Sequence, residues 1–244
     1  MMKKWSKPFA VLFWILVWEI LARIVQSNIL LASPVVTVKA LFGLVGTKAF
    51  WLSIASSFGR IIGGFLLALI AGMVLAWTSY RAELVRTLLE PLIKIIKATP
   101  VASFVIVVLL WVSSSKLSVV ISFLIVFPVV YTNLLQGLSE TDAKLLEMAQ
   151  MFRFGFAKRL RYIYLPAIRP YLLSAVSLGL GMCWKAGVAA EVIGLPQPSI
   201  GRNLYNAKLY LETPELFAWT IVIVVLSAGF EKLVTWLLKK ALRV

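Results

Sequence analysis

Three stretches of this chain, residues 61–80, 98–115 and 117–139, contain no Asp, Glu, Lys or Arg. About 20 apolar residues suffice for a helix to cross the hydrocarbon core of a bilayer. Each stretch is long enough, and that limits the chain to membrane-spanning helical folds. Three further apolar runs carry isolated charges. The first, 8–26, holds Glu19 and Arg23 with the acid four residues before the base, the favourable order for a helical pair. The second, 170–193, holds Lys185 and Glu191, and the third, 215–237, holds Glu231 and Lys232 near its end. The reading is an all-α integral membrane protein of one domain, residues 1–244, with six transmembrane helices at about 8–26, 55–80, 92–113, 117–138, 170–193 and 215–237. The second span is expected to start before Arg60, near Trp51, and to project beyond the lipid.

Composition agrees. Hydrophobic residues make up 61% of the chain and charged residues 14%, with mean hydropathy +0.94. Soluble domains run near 45–50% apolar and about 25% charged, so a soluble enzyme is excluded. With no histidine, imidazole acid–base chemistry and His-ligated metals are excluded, and the single Cys183 excludes disulfide frameworks. No phosphate-binding G-x-x-x-x-G-K-[ST] loop occurs, so nothing on the chain is expected to hydrolyse nucleotide.

The formal net charge of +15 would suggest nucleic acid on a soluble chain, but on this one it reports topology. With the N-terminus inside, the outer segments hold only Lys39, Lys48, Lys116, Arg202 and Lys208. Arg23, Arg60, Lys185 and Lys232 fall within helices or at their edges, and every other basic residue lies inside. Both termini are therefore expected in the cytoplasm of a multi-pass cell-membrane protein. Lys3, Lys4 and Lys7 before an apolar run suggest a signal peptide, but Glu19, Arg23 and the lack of a small-x-small cleavage site favour an uncleaved first helix.

Small residues mark packing faces. Gly64, Ala68, Gly72 and Ala76 recur every fourth residue in the second span. Ala175, Gly179, Cys183 and Gly187 do so in the fifth, with Glu191 next in the row. Such rows let helix backbones approach closely in lipid. They serve plain bundle packing, or they line a path or a moving dimer seam. Trp51, Trp77, Trp111 and Trp219 fall near span ends as interfacial anchors. After the first span, Ser33-Pro34 opens a run with Val35, Val38, Leu41, Phe42 and Val45 at helical spacing, an amphipathic helix expected on the outer interface.

The loop 139–169 between the fourth and fifth spans is the most informative segment. Ser139 and Asp142 form an S-x-x-D start signal. Leu145, Met148, Ala149 and Phe152 follow at amphipathic spacing. Gly155 is expected to break that helix, and a second short basic helix to run to Ile163. The loop carries Lys144, Arg153, Lys158, Arg159, Arg161 and Arg169. Amphipathicity alone fits two readings equally: a helix held on anionic lipid, or one docked in a groove on a protein.

Glu147-Met148-Ala149 followed by Ile163-Tyr164-Leu165-Pro166 resembles the E-A-A…G…I-x-L-P loop of permease subunits of binding-protein-dependent ABC importers. Met148 stands for the middle Ala, and the family glycine falls at Arg153, with Gly155 the nearest glycine. Ser33-Pro34, Ser57-Phe58-Gly59-Arg60 with Gly63-Gly64-Phe65, Pro91 to Pro100, Phe127-Pro128, and Trp184 to Gly194 also look like the nitrate/sulfonate/taurine-type permeases. The resemblance implies two six-helix subunits, here expected as two copies of one chain. It implies cytoplasmic ATPase subunits that hold the ATP and Mg, and an extracytoplasmic binding protein that delivers substrate. Loop helices would carry ATPase motion to a bundle alternating between outward and inward openings. Leu145, Glu147, Met148, Ala149, Phe152, Arg153, Gly155, Ile163, Leu165 and Pro166 would form the coupling segment. Glu147 would be a charged anchor, Met148, Ala149 and Phe152 the apolar face, and Pro166 the end of the loop.

Charges inside spans usually face an interior or an aqueous cavity. Lys185 and Glu191 are thus the candidates for a translocation path, and a cation there would suit an anionic solute. The other readings are an internal ion pair, with Glu19 as one candidate partner, or a Glu191 that snorkels outward. Arg60 is expected at the outer edge of its helix, snorkelling or anchoring a loop. The alternatives for the whole chain are an ATP-independent secondary transporter or channel and a structural scaffold; no internal repeat supports the secondary transporter.

Overall fold

The computed structural model describes residues 6–241, and every element in it is helical. Lys3, Lys4 and Arg243, counted above on the inner side, lie outside the described residues. In chain order the helices are α1 (Ser6–Val25), α2 (Pro34–Val45), α3 (Lys48–Arg81), α4 (Glu83–Ala98), α5 (Val101–Val108) and α6 (Ser114–Ser139). Next come α7 (Ala143–Met151), α8 (Phe156–Arg159), a π turn at Leu160–Tyr164, α9 (Leu165–Gly194), α10 (Ile200–Leu209) and α11 (Thr213–Ala241).

Among the described residues, four helices are long and apolar enough to cross a membrane: α3, α6, α11 and the continuous run Phe156–Gly194 that ends in α9. The α4–α5 pair makes a fifth if counted as one span, although its axes diverge by 106°. The expected span over 92–113 is therefore interrupted by a sharp turn at Thr99-Pro100. Pro100 has no N–H to give a helix, and it drives the preceding residue toward extended backbone. Thr99 is extended, at φ −81° and ψ 128°, and ends α4. α1 is a separate apolar helix of 20 residues.

α3, α6 and α9 form the centre, with the most extensive helix–helix contacts. The small-residue rows are what bring them together. Gly64, Ala68, Gly72 and Ala76 are all buried on one side of α3. A Cβ at Gly64 would overlap the Val119 carbonyl oxygen, and one at Gly72 would lie 2.6 Å from Val130 Cγ1, so α3 meets α6 at backbone range. Ala175, Gly179, Cys183, Gly187 and Glu191 are likewise buried along α9. A Cβ at Gly187 would press on both Ile61 of α3 and Ser122 of α6. Hydroxyls tie the seam: Ser118 donates to the Gly187 carbonyl at 2.9 Å and Ser122 to that of Cys183 at 3.4 Å. Such bonds are worth about 0.6 kcal/mol on average in membranes, so shape complementarity carries most of the seam.

The end of the bundle where α3 begins and α9 finishes holds two short helices. Ser33 caps α2 by accepting from the Val36 N–H at 3.4 Å, with Pro34 in the first turn. α2 packs on α11 beside a cluster of Phe50, Ile200, Trp219 and Val222. Ser199 caps α10, a helix that its polar, short sequence did not announce. α1 and α11 lie at the periphery, with large exposed apolar side chains such as Trp14, Leu16, Val224 and Val225. In a membrane chain that surface faces lipid.

Gly72→Ala is expected to cost about 1–3 kcal/mol by overpacking against Val130. Gly63→Ala, whose Cβ would meet nothing within 4 Å, should be neutral or gain up to about 1 kcal/mol from helix propensity. Thermal unfolding of the two variants in detergent would separate them.

Candidate functional site

The first candidate is the loop between α6 and α9. Asp142, not Ser139, starts α7: its carboxylate accepts from the Lys144 N–H at 2.8 Å, while Ser139 ends α6. At the far end the Phe154 N–H reaches the Ala149 carbonyl at 2.8 Å and the Arg153 N–H reaches that of Gln150 at 3.0 Å. These two bonds make a Schellman cap, whose pivot residue must be left-handed. The pivot is Arg153, at φ 51°. The helix therefore breaks at Arg153 and not at Gly155, which has φ −64° and opens α8. Arg153 occupies the expected glycine position in the conformation that glycine favours.

The loop is clamped on both sides. Ala149 is fully buried against the rest of the chain. Trp77 meets Phe156 at 5.8 Å and Tyr164 at 5.1 Å, and Tyr80 meets Tyr164 at 5.8 Å, so the C-terminal end of α3 holds the loop by aromatic edges. Tyr171 of α9 donates to Glu140, just past α6, and holds that carboxyl below the usual carboxylate range. Pro166 sits in the first turn of α9. Its missing N–H is absorbed by the π turn before it, where the Leu165 N–H reaches the Leu160 carbonyl. Ile163 is buried, while Leu165 and Pro166 are exposed.

What the clamp leaves outward is an apolar strip. Leu145, Met148 and Phe152 fall on one face of α7, and Phe152 keeps 70% of its surface open. Met151 and Glu147 flank them, also exposed. Ala149 points into the chain, so it supports this strip and is not part of it.

The second candidate is the pair of charges in α9, which the structure places in opposite settings. Glu191 is fully buried. One carboxylate oxygen accepts from Arg60 at 3.3 Å, and the other from the Ser57 hydroxyl at 2.6 Å and the Gly201 N–H at 3.2 Å. Ser57 also accepts from the Ile200 N–H at 2.9 Å, and Arg60 donates to the Pro198 carbonyl at 3.1 Å. The node ties α3, α9 and the start of α10 into one unit. A Cβ at Gly201 would overlap Glu191, so the backbone comes this close only because the residue is glycine. Glu191 does not snorkel, and Arg60 anchors the 195–199 loop. Removing one partner of such a buried pair typically costs 3–5 kcal/mol, less here because Arg60 keeps 16% of its side chain exposed.

Lys185, in contrast, is exposed, on a stripe of α9 with Leu178, Met182, Ala189 and Ile193. No salt bridge holds it among the described residues, and Glu19 pairs instead with Arg23 at 2.8 Å. Six residues, less than two turns, thus separate a buried, fully bonded acid from an open cation.

Residues 64–242 match the family described as the inner membrane component of binding-protein-dependent transport systems. The aliphatic sulfonates transport permease of Bacillus subtilis is 28% identical over 235 residues, covering 94% of this chain and 83% of the relative. The taurine transport system permease of Escherichia coli is 24% identical, covering 88% and 80%. The bicarbonate transport system permease of Synechococcus elongatus is 23% identical, covering 80% and 70%.

A left-handed residue other than glycine costs about 1–2 kcal/mol. Arg153→Gly should therefore stabilise the loop by about 1 kcal/mol, less the entropy that glycine restores to the unfolded chain. Slower proteolysis at residues 150–156 in the folded protein would be the sign.

Proposed function

This chain belongs to the inner membrane component family of binding-protein-dependent transport systems, and we propose that it is the permease subunit of an ATP-driven importer for a small anionic solute. The observation that carries the proposal is the apolar strip Leu145, Met148 and Phe152, held outward on a short helix capped at both ends. A free flexible loop could not transmit motion. This one is fixed to α3 by aromatic edges, to α6 by chain continuity and to α9 by the helix that runs on from Phe156. A push on α7 thus reaches the ends of all three central helices.

ATP and Mg would sit on separate cytoplasmic ATPase subunits, and an extracytoplasmic binding protein would deliver the solute. Six passages follow if α1 and the bent α4–α5 pair are each counted with α3, α6, α9 and α11. Both termini then face the cytoplasm, with the charged loop 139–169 on the ATPase side. A second copy of the chain would pack along the exposed α9 stripe, which places Lys185 toward the shared path. Sulfonates, taurine and bicarbonate, named for the relatives, all carry an anionic group, and a cation on the path suits them. Glu191 lies in the same helix, but its oxygens are already used by Ser57, Arg60 and Gly201; its part is to hold the outer end of the path in shape.

Phe152→Glu should weaken co-purification of the ATPase by about 2 kcal/mol, roughly thirtyfold, as loss of a central aromatic anchor does, and uptake should fall with it while insertion persists. Unchanged ATPase association would refute the coupling role. Lys185→Met is expected to cut uptake sharply with the assembly intact; near-normal uptake would remove Lys185 from the path.

A further inference from the structure

We propose that α4 lies in the plane of the cytoplasmic leaflet rather than across it, and that the groove between α4 and α6 holds the phosphate of an anionic phospholipid. The end of α3 that leads into α4 and the far end of α4 are tied to the same level of α6. Before it, Ser79 of α3 accepts a hydrogen bond from Tyr131 at 3.0 Å, and α4 begins four residues later. At its far end Lys97 donates to Thr132 at 3.2 Å. Tyr131 and Thr132 are neighbours, about 1.5 Å apart along the axis of α6, whereas a helix of 16 residues is about 24 Å long. α4 must therefore run across α6. The 106° turn at Thr99-Pro100 then points α5 outward, where Val105 packs with Leu117, Ile121, Ala186 and Ala190.

The faces of α4 suit that position. Ile93 and Ile96 are buried against the bundle. Leu84, Leu88, Leu92 and Ile95 form an exposed apolar strip on one side. Arg86, Glu90, Lys94 and Lys97 share a strip on nearly the opposite side, at the helical spacing of 3.6 residues per turn. A helix with such opposed faces rests at an interface, its apolar strip among acyl chains and its basic strip at the headgroups. Arg86, Lys94 and Lys97, with Tyr131 and Thr132, line a groove of about 260 Å³. Its one acid, Glu90, is 2.6 Å from Lys94 and neutralises only one of the three cations. A phosphate diester supplies the missing negative charge, and acyl chains supply cover for the leucine strip; a free oxoanion would supply only the first. The side of the membrane rests on the topology proposed above, but the in-plane geometry does not.

Nitroxide labels at Leu84→Cys and Ile95→Cys in the full chain, reconstituted in phosphatidylcholine bilayers with phosphatidylglycerol, test the geometry through oxygen and nickel-chelate accessibility. Equal depth is expected. A separation near 16 Å, the axial distance of 11 residues, would overturn the proposal, whichever leaflet the labels occupy. For the site, native mass spectrometry of the purified chain should show phosphatidylglycerol retained over phosphatidylcholine. The triple variant R86Q/K94Q/K97Q should lose roughly a hundredfold of that preference, at about fivefold per cation, and R86K/K94R/K97R should keep it. Equal retention of the two lipids, loss in the charge-preserving variant, or displacement of the lipid by millimolar inorganic phosphate would overturn the lipid site.

Discussion

Backbone contact between α3, α6 and α9 is the constraint from which the rest of the structure follows. In lipid, apolar side chains gain little by leaving one apolar environment for another, so helices associate through close packing. Gly64 and Gly72 bring α3 to within backbone range of α6, and Gly187 wedges α9 against both. Once these three helices are locked, their ends at one side present fixed points, and the loop 139–169 is strung between two of them and clamped to the third. The opposite ends likewise define one place where a buried acid can be satisfied.

That place is the Glu191 node. A carboxylate taken out of water needs several partners to offset its desolvation, and no single helix supplies them. Ser57 and Arg60 come from α3, and the Gly201 N–H comes from the start of α10. The 195–199 loop is therefore held by a polar interaction within an otherwise apolar fold. The α9 stripe with Lys185 is the contrast: exposed and, among the described residues, free of ion pairs.

The loop 139–169 was legible in sequence in some respects and illegible in others. The spacing of Leu145, Met148 and Phe152 marks a helix face whatever surrounds it. The start lies later than the S-x-x-D signal implies: Ser139 closes α6, and Asp142 caps α7 because its carboxylate reaches the Lys144 N–H two residues on. Ala149 shares the same periodicity, yet it turns inward. An amphipathic pattern defines a face only to within a residue or so, and burial of Ala149 against the rest of the chain decides which side of the helix turns inward. The turn at Arg153 was hidden for a related reason. Glycine signals a left-handed residue, and here an arginine adopts that conformation under the pull of two backbone hydrogen bonds.

The sequence alone determined that this chain is a helical membrane protein, where most of its basic residues gather, which small residues face a neighbour and which loop resembles a coupling segment. These properties depend on composition and on residues within one or two turns of each other. Only the tertiary structure decided that Glu191 is paired and Lys185 open, since the bonds that settle it join residues more than 130 positions apart. It also decided that residues 83–98 form a separate helix set at 106° to the next. An apolar run of sufficient length does not say which way it points. Here a proline makes the turn, and the bond from Lys97 to Thr132 holds the end of α4 on α6.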